Sequence, residues 1–141
     1  PNWKTLARGP ITDEEEEGIG DGHEWVEAPY VYYREGFYYL FVNWGSCCRG
    51  AESDYNIRVG RSKKPLGPFL DKKGINMVDG GGSLVLESIG SKRGPGHAGI
   101  WTNKEEQNIL GFHYYDAKRD GISLYGERKI VWKNNWPIIT N

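Results

Sequence analysis

Two aromatic runs, Val26 to Tyr33 and Phe37 to Trp44, are separated by a turn at Glu35-Gly36, and no other feature of the sequence restricts the fold as far. Both runs have strand length and are rich in Tyr, Phe, Trp and Val. Joined through a short Gly-containing connection, they form an antiparallel hairpin. A hairpin alone cannot bury its apolar faces, so the rest of the 141 residues must supply packed layers. The remaining chain is made of similar parts. Tyr55 to Arg61 alternates as a third strand, and Pro65 to Leu70 reads as a fourth. The count restarts after Gly80-Gly81-Gly82, with strands at Ser83 to Glu87, Ala98 to Thr102, Asn108 to Tyr115 and Ser123 to Trp132. Asp116 to Gly121 forms the turn between the last two. Trp3 to Ala7 reads as a single outer strand.

Twenty Gly and seven Pro lie between these runs instead of forming one block, so they act as turn punctuation in an all-β chain. Four short strands recurring every 40 to 50 residues or so suggest propeller blades. An eight-stranded sandwich has similar spacing, and periodicity alone does not separate the two. With 18 basic and 19 acidic residues and no basic stripe among the aromatics, the chain lacks the groove a nucleic-acid binder needs. No apolar run approaches the roughly 18 residues of a membrane-spanning helix, and neither nucleic acid nor membrane is expected as a partner.

Glu27 stands at the head of the hairpin, between Trp25-Val26 and Ala28-Pro29-Tyr30. Bulky neighbours and a proline predict partial desolvation, which favours the protonated form of a carboxyl and suits a general acid. A strand-edge Glu pointing at solvent is the plainer reading. Asp13 to Glu17, five acids in a row, read as a solvated loop, with a cation site as the sharper alternative. Cys47 and Cys48 are adjacent, so they cannot staple distant parts of the fold. Both a pair of thiols and a local ring are open, and neither fixes the redox compartment. His113, inside an aromatic strand, reads as a hydrogen-bonded packing residue, and Asp116 as a turn cap. His23 takes no assignment, and whether Arg61 reaches a central channel stays undecided. Trp25, Trp101, Trp132 and Trp136 are assigned to packing.

Several motifs occur in one order: Val26-Glu27-Ala28-Pro29-Tyr30, Phe37 to Val42, Gly45-Ser46-Cys47-Cys48-Arg49-Gly50, Val59 to Ser62, Gly67-Pro68-Phe69, Gly80 to Leu84, Gly94-Pro95-Gly96-His97, Phe112 to Asp116 and Trp136-Pro137-Ile138. Together they resemble the arabinanases of glycoside hydrolase family 43 over about residues 25 to 139. The resemblance implies a five-bladed β-propeller to which this chain supplies about two blades plus a strand. Residues 1–24 would come from the preceding blade, 25–79 would form the blade carrying the acid, and 80–141 the blade carrying the Gly-Pro-Gly-His loop. The implied reaction is cleavage of α-1,5-linked arabinan with inversion, Glu27 matching the general acid.

In the same resemblance His97 helps hold a central metal ion, taken as calcium and bound mostly through water. Trp44 and Cys47 are the substrate-binding candidates, with packing between blades as the other reading of Trp44. No motif matches the family's catalytic base or the aspartate that tunes the acid. A second chain or a homo-oligomer completing the propeller is therefore expected, the alternative being an inactive fragment that binds carbohydrate. Ala98-Gly99 departs from the family pattern just after His97. The polymer substrate implies secretion, and an intracellular enzyme acting on short oligosaccharides is the other reading.

Overall fold

The computed structural model describes residues 3–9 and 25–140, and the acidic run at 13–17 and His23 lie outside them. Eight strands are formed: β1 (Val26–Arg34), β2 (Phe37–Trp44), β3 (Asn56–Ser62), β4 (Ser83–Leu86), β5 (Lys92–Thr102), β6 (Asn108–Asp116), β7 (Ile122–Lys133) and β8 (Trp136–Ile139). They make two antiparallel four-stranded sheets in the simple orders β1-β2-β3-β4 and β5-β6-β7-β8. The β1–β2 hairpin turns at Glu35-Gly36, both with positive φ, as a two-residue connection of this twist requires. Asn134-Asn135 does the same between β7 and β8.

Three strand assignments are corrected. Pro65 to Leu70 is not a strand: two prolines lack ladder N–H groups, and only Leu70 bridges Arg61. The fourth position is taken by Ser83–Leu86, which pairs with β3 through Arg58 and Leu84. The segment 80–141 thus gives its first strand to the first sheet, and the second sheet begins at Lys92. Trp3 to Ala7 is not in a strand either. Leu6 and Ala7 instead pack beside Leu40, Val42, Phe69 and Met77, and the Arg8 N–H donates to the Met77 carbonyl at 2.8 Å.

The main core lies between the sheets, where Tyr39, Phe41, Ile57 and Val59 of the first meet Ala98, Ile100, Leu110, Phe112 and Ile130 of the second. Alternate residues of β2, namely Leu40, Val42 and Trp44, face the other way, as the two-residue strand period dictates. Aromatic contacts lock the stack: Trp132 lies 5.9 Å from Tyr32 and 4.9 Å from Tyr39 between ring centres, and its indole N–H donates to Asn108 Oδ1. Tyr30 and Tyr39 each reach across, donating to the carbonyls of Ile100 and Asn135.

Candidate active site

Glu27 pairs with Asn43 near the start of β1, and the β1–β2 register shifts between Glu27 and Tyr30. Ala28 takes a positive φ of 47° within that irregularity. Bulges of this kind re-aim a side chain, and Pro29 is tolerated because β1 is an edge strand. The re-aimed carboxylate accepts a hydrogen bond from the hydroxyl of Tyr55, a residue only 1% exposed. The expected desolvation by the flanking residues is not found. Glu27 is exposed, because strand neighbours point to alternate sides: Val26 packs on the far face of the sheet, and Trp25 is itself 52% exposed.

His97 follows Gly94-Pro95-Gly96 on β5, where the register with β6 shifts twice. It has a positive φ of 56°, and its exposed ring stands 5.5 Å from that of His113. Asn43 fixes this conformation. Fully buried, it accepts from the His97 N–H at 3.0 Å and donates to the carbonyls of Pro95 and Asn56 at 3.2 and 3.3 Å. Gly96 is the point of closest approach: a Cβ there would sit 2.7 Å from Tyr55, 2.8 Å from Asn43 and 2.9 Å from His113. His113 is packed among rings as expected, but the hydrogen bond expected of it is not found at Nε2. Its Nε2 is buried without a partner among the described residues, while its ring lies 6.2 Å from Tyr55 and 5.4 Å from Tyr115. Burial, and then the neighbouring His97, hold the His113 imidazole below its ordinary value of 6.5.

The Cys47–Cys48 pair is a disulfide, and the Cys48 N–H donates to the Tyr115 hydroxyl at 3.0 Å, which brings the Cys47 loop beside this cluster. Trp44 is not brought there. It lies on the opposite face of β2 from Asn43, half-buried against the Leu40 and Val42 side, with the Arg58 guanidinium 4.5 Å from its ring centre. Arg61 is settled as well. It lies over Phe37 and Trp136, donates to the Asn134 and Asn135 carbonyls, and so ties the sheets at the far end from Glu27. Asp116 caps its turn by accepting from the Lys118 N–H.

Packing accounts for Trp132 and Trp136 as expected, while Trp101 is 37% exposed. Tyr55, Asn43 and Tyr115 were not singled out from the sequence. Only the Phe112 to Asp116 motif could have pointed to Tyr115, since the other two act across strands.

The cluster offers a carboxyl donor or acceptor at Glu27, a buried phenol that orients it, and imidazoles beside them. Among the described residues no group of three or more His, Cys, Asp or Glu could hold a metal ion. A cation here would take the His97 imidazole as one donor and need its other ligands from water or elsewhere.

Two stacked four-stranded antiparallel sheets, each in simple consecutive order, have the form of propeller blades. The profile of glycosyl hydrolases family 43 matches residues 2–137, and the chain belongs to that family. It is 40% identical over 112 residues to an extracellular endo-α-(1→5)-L-arabinanase of Bacillus subtilis, covering 79% of this chain and 33% of that protein. An exo-1,5-α-L-arabinanase from a bovine ruminal metagenomic library superposes with a TM-score of 0.87 at 33% identity, over 98% of this chain and 44% of the other. A Cellvibrio cellulosa α-L-arabinanase solved with arabinohexaose gives 0.85 at 32% identity, over 99% and 44%. These neighbours are five-bladed propellers, and the present chain supplies two four-stranded sheets of that architecture. It therefore spans less than half the length of each of these relatives.

Proposed function

We propose that the protein hydrolyses α-1,5-linked arabinan with inversion, Glu27 being the general acid that protonates the leaving oxygen. The observation that carries this reading is the exposed Glu27 carboxylate held by the buried Tyr55 hydroxyl at a bulge of the edge strand. An inverting enzyme also needs a carboxylate that activates water, at ~6.5 to 9.5 Å from the acid. No motif for that base, or for an acid-tuning aspartate, occurs in these 141 residues. Both are assigned to further blades, in a longer chain or a second one. His97 would give the central calcium its protein donor on this side, largely through water, and no step proposed here runs through that ion. Cys47 borders the sugar cleft. Secretion follows from the size of the polymer and agrees with the extracellular Bacillus relative.

The test is reducing-sugar release from linear α-1,5-arabinan by the completed ring, with Glu27 present and with Glu27→Ala. Release by the first and only background from the second, at equal thermal stability, is the expected result. Full activity in the variant would remove Glu27 from the reaction. Saturable arabino-oligosaccharide binding without release in either protein would favour the carbohydrate-binding alternative.

A further inference from the structure

At the end of the sheets away from Glu27, an open depression of about 440 Å³ lies between the loop after β3 and the β7–β8 turn. Glu27 is near the start of β1 and Phe37 pairs with Arg34 at its end, so the two places are roughly 20 Å apart at about 3.3 Å per residue. Four cations line it: Arg61, Lys63, Lys64 and Lys72. No ion pair to any of them occurs among the described residues, where the ion pairs are Arg34 with Glu35 and Arg49 with Glu52. The carboxylate in the wall, Asp71, is buried and already engaged: Oδ1 accepts from the N–H groups of Lys73 and Ile75, and Oδ2 from that of Gly82. Arg61 is held in place by the Asn134 and Asn135 carbonyls, at 3.0 and 2.7 Å from Nη1.

We propose that this depression binds an acidic sugar, a hexuronate unit of an oligosaccharide, at a site separate from the catalytic cleft and independent of the hydrolytic reading. Unpaired cations around one basin attract an anion, and ammonium and guanidinium groups bind carboxylates through charge-assisted hydrogen bonds. The walls also carry Pro68 and Leu70, exposed apolar surface that suits the C–H faces of a pyranose and offers nothing to a bare inorganic anion. Lys63 lies 3.5 Å from the Phe37 ring centre, and Arg61 lies 4.3 Å from that of Trp136. These cations already cover ring faces, which disfavours the base stacking a single-stranded nucleic acid would use.

Calorimetric titration with trigalacturonate tests the site, with arabinotriose, inorganic phosphate and an oligo-aspartate peptide as comparison ligands. The expected result is saturable trigalacturonate binding that weakens at least about tenfold in a Lys63→Gln/Lys72→Gln double variant. It should also weaken as salt rises from about 0.05 to about 0.3 M. Both lysines are exposed, so the variant keeps the fold, which thermal melting checks. Glu27→Gln should bind trigalacturonate as well as the parent does, which keeps this test distinct from that of hydrolysis. The proposal is overturned by absence of saturable binding, by unchanged affinity in the lysine variant, or by a loss in Glu27→Gln. Equal binding of phosphate or of the aspartate peptide would reduce the site to a general anion patch and overturn it too.

Discussion

Gly96 carries the tightest constraint in the candidate site, because Tyr55, Asn43 and His113 all crowd the space its side chain would fill. Gly96→Ala should cost about 1–3 kcal/mol by overpacking and push Tyr55 away from Glu27. A melting curve and the hydrolysis rate should fall together, and an unchanged melting temperature would count against the crowding. Tyr55→Phe separates position from packing, since the buried ring is kept and only the donor to Glu27 is lost. The expected outcome is a fall in kcat of about tenfold with KM nearly constant, and a stability cost of about 1 kcal/mol. A rise in KM at constant kcat would place Tyr55 in substrate binding instead. Glu27 and His97 were legible in the sequence because each sits inside a local motif. Tyr55 and Asn43 were not, since their partners lie 28 and 54 residues away and come together only through pairing and stacking.

Among the elements, β2 shows what the sequence pattern resolves and what it leaves out. Its boundaries and its turn follow from aromatic content and Glu35-Gly36, yet the pattern does not say which alternate face meets which layer. Trp44, a candidate for lining the cleft, falls on the Leu40–Val42 face, whereas Asn43 falls on the face that holds His97. Trp44→Ala should accordingly lower stability, on the order of 2–3 kcal/mol from lost burial and the lost Arg58 contact, and leave KM for arabino-oligosaccharides unchanged. A rise in KM without loss of stability would return Trp44 to the cleft. Sheet membership was the other limit. Ser83–Leu86 has strand character in either sheet, and only the non-local register of Arg58 with Leu84 assigns it to the first.

At the scale of the whole molecule, one face of the second sheet has no partner layer among the described residues. Ile100, Leu110, Phe112 and Ile130 point into the core, so their neighbours point out: Trp101, Tyr125, Val131 and Ile138 are 37%, 64%, 43% and 40% exposed. Trp101 and Tyr125 close over Gly111, and Val131 pairs with Ile138, so these side chains form an apolar surface on the sheet. Sheet faces of this kind are covered in a propeller by the next blade, and left open they drive association. The chain also spans less than half the length of the relatives compared with it, and carries a motif for one of the two carboxyls that inversion needs. The 141 residues by themselves should therefore elute larger than a monomer and release no reducing sugar from arabinan. Adding the other blades of a family 43 propeller as a separate chain should replace self-association with a defined complex and bring hydrolysis with it. Charge placed on the face, as Tyr125→Glu with Val131→Lys, should reduce both self-association and complementation while leaving the core between the sheets intact. Sugar release by the chain alone would mean that copies of it supply the base to one another, and its loss in Tyr125→Glu/Val131→Lys would then locate that assembly on this face.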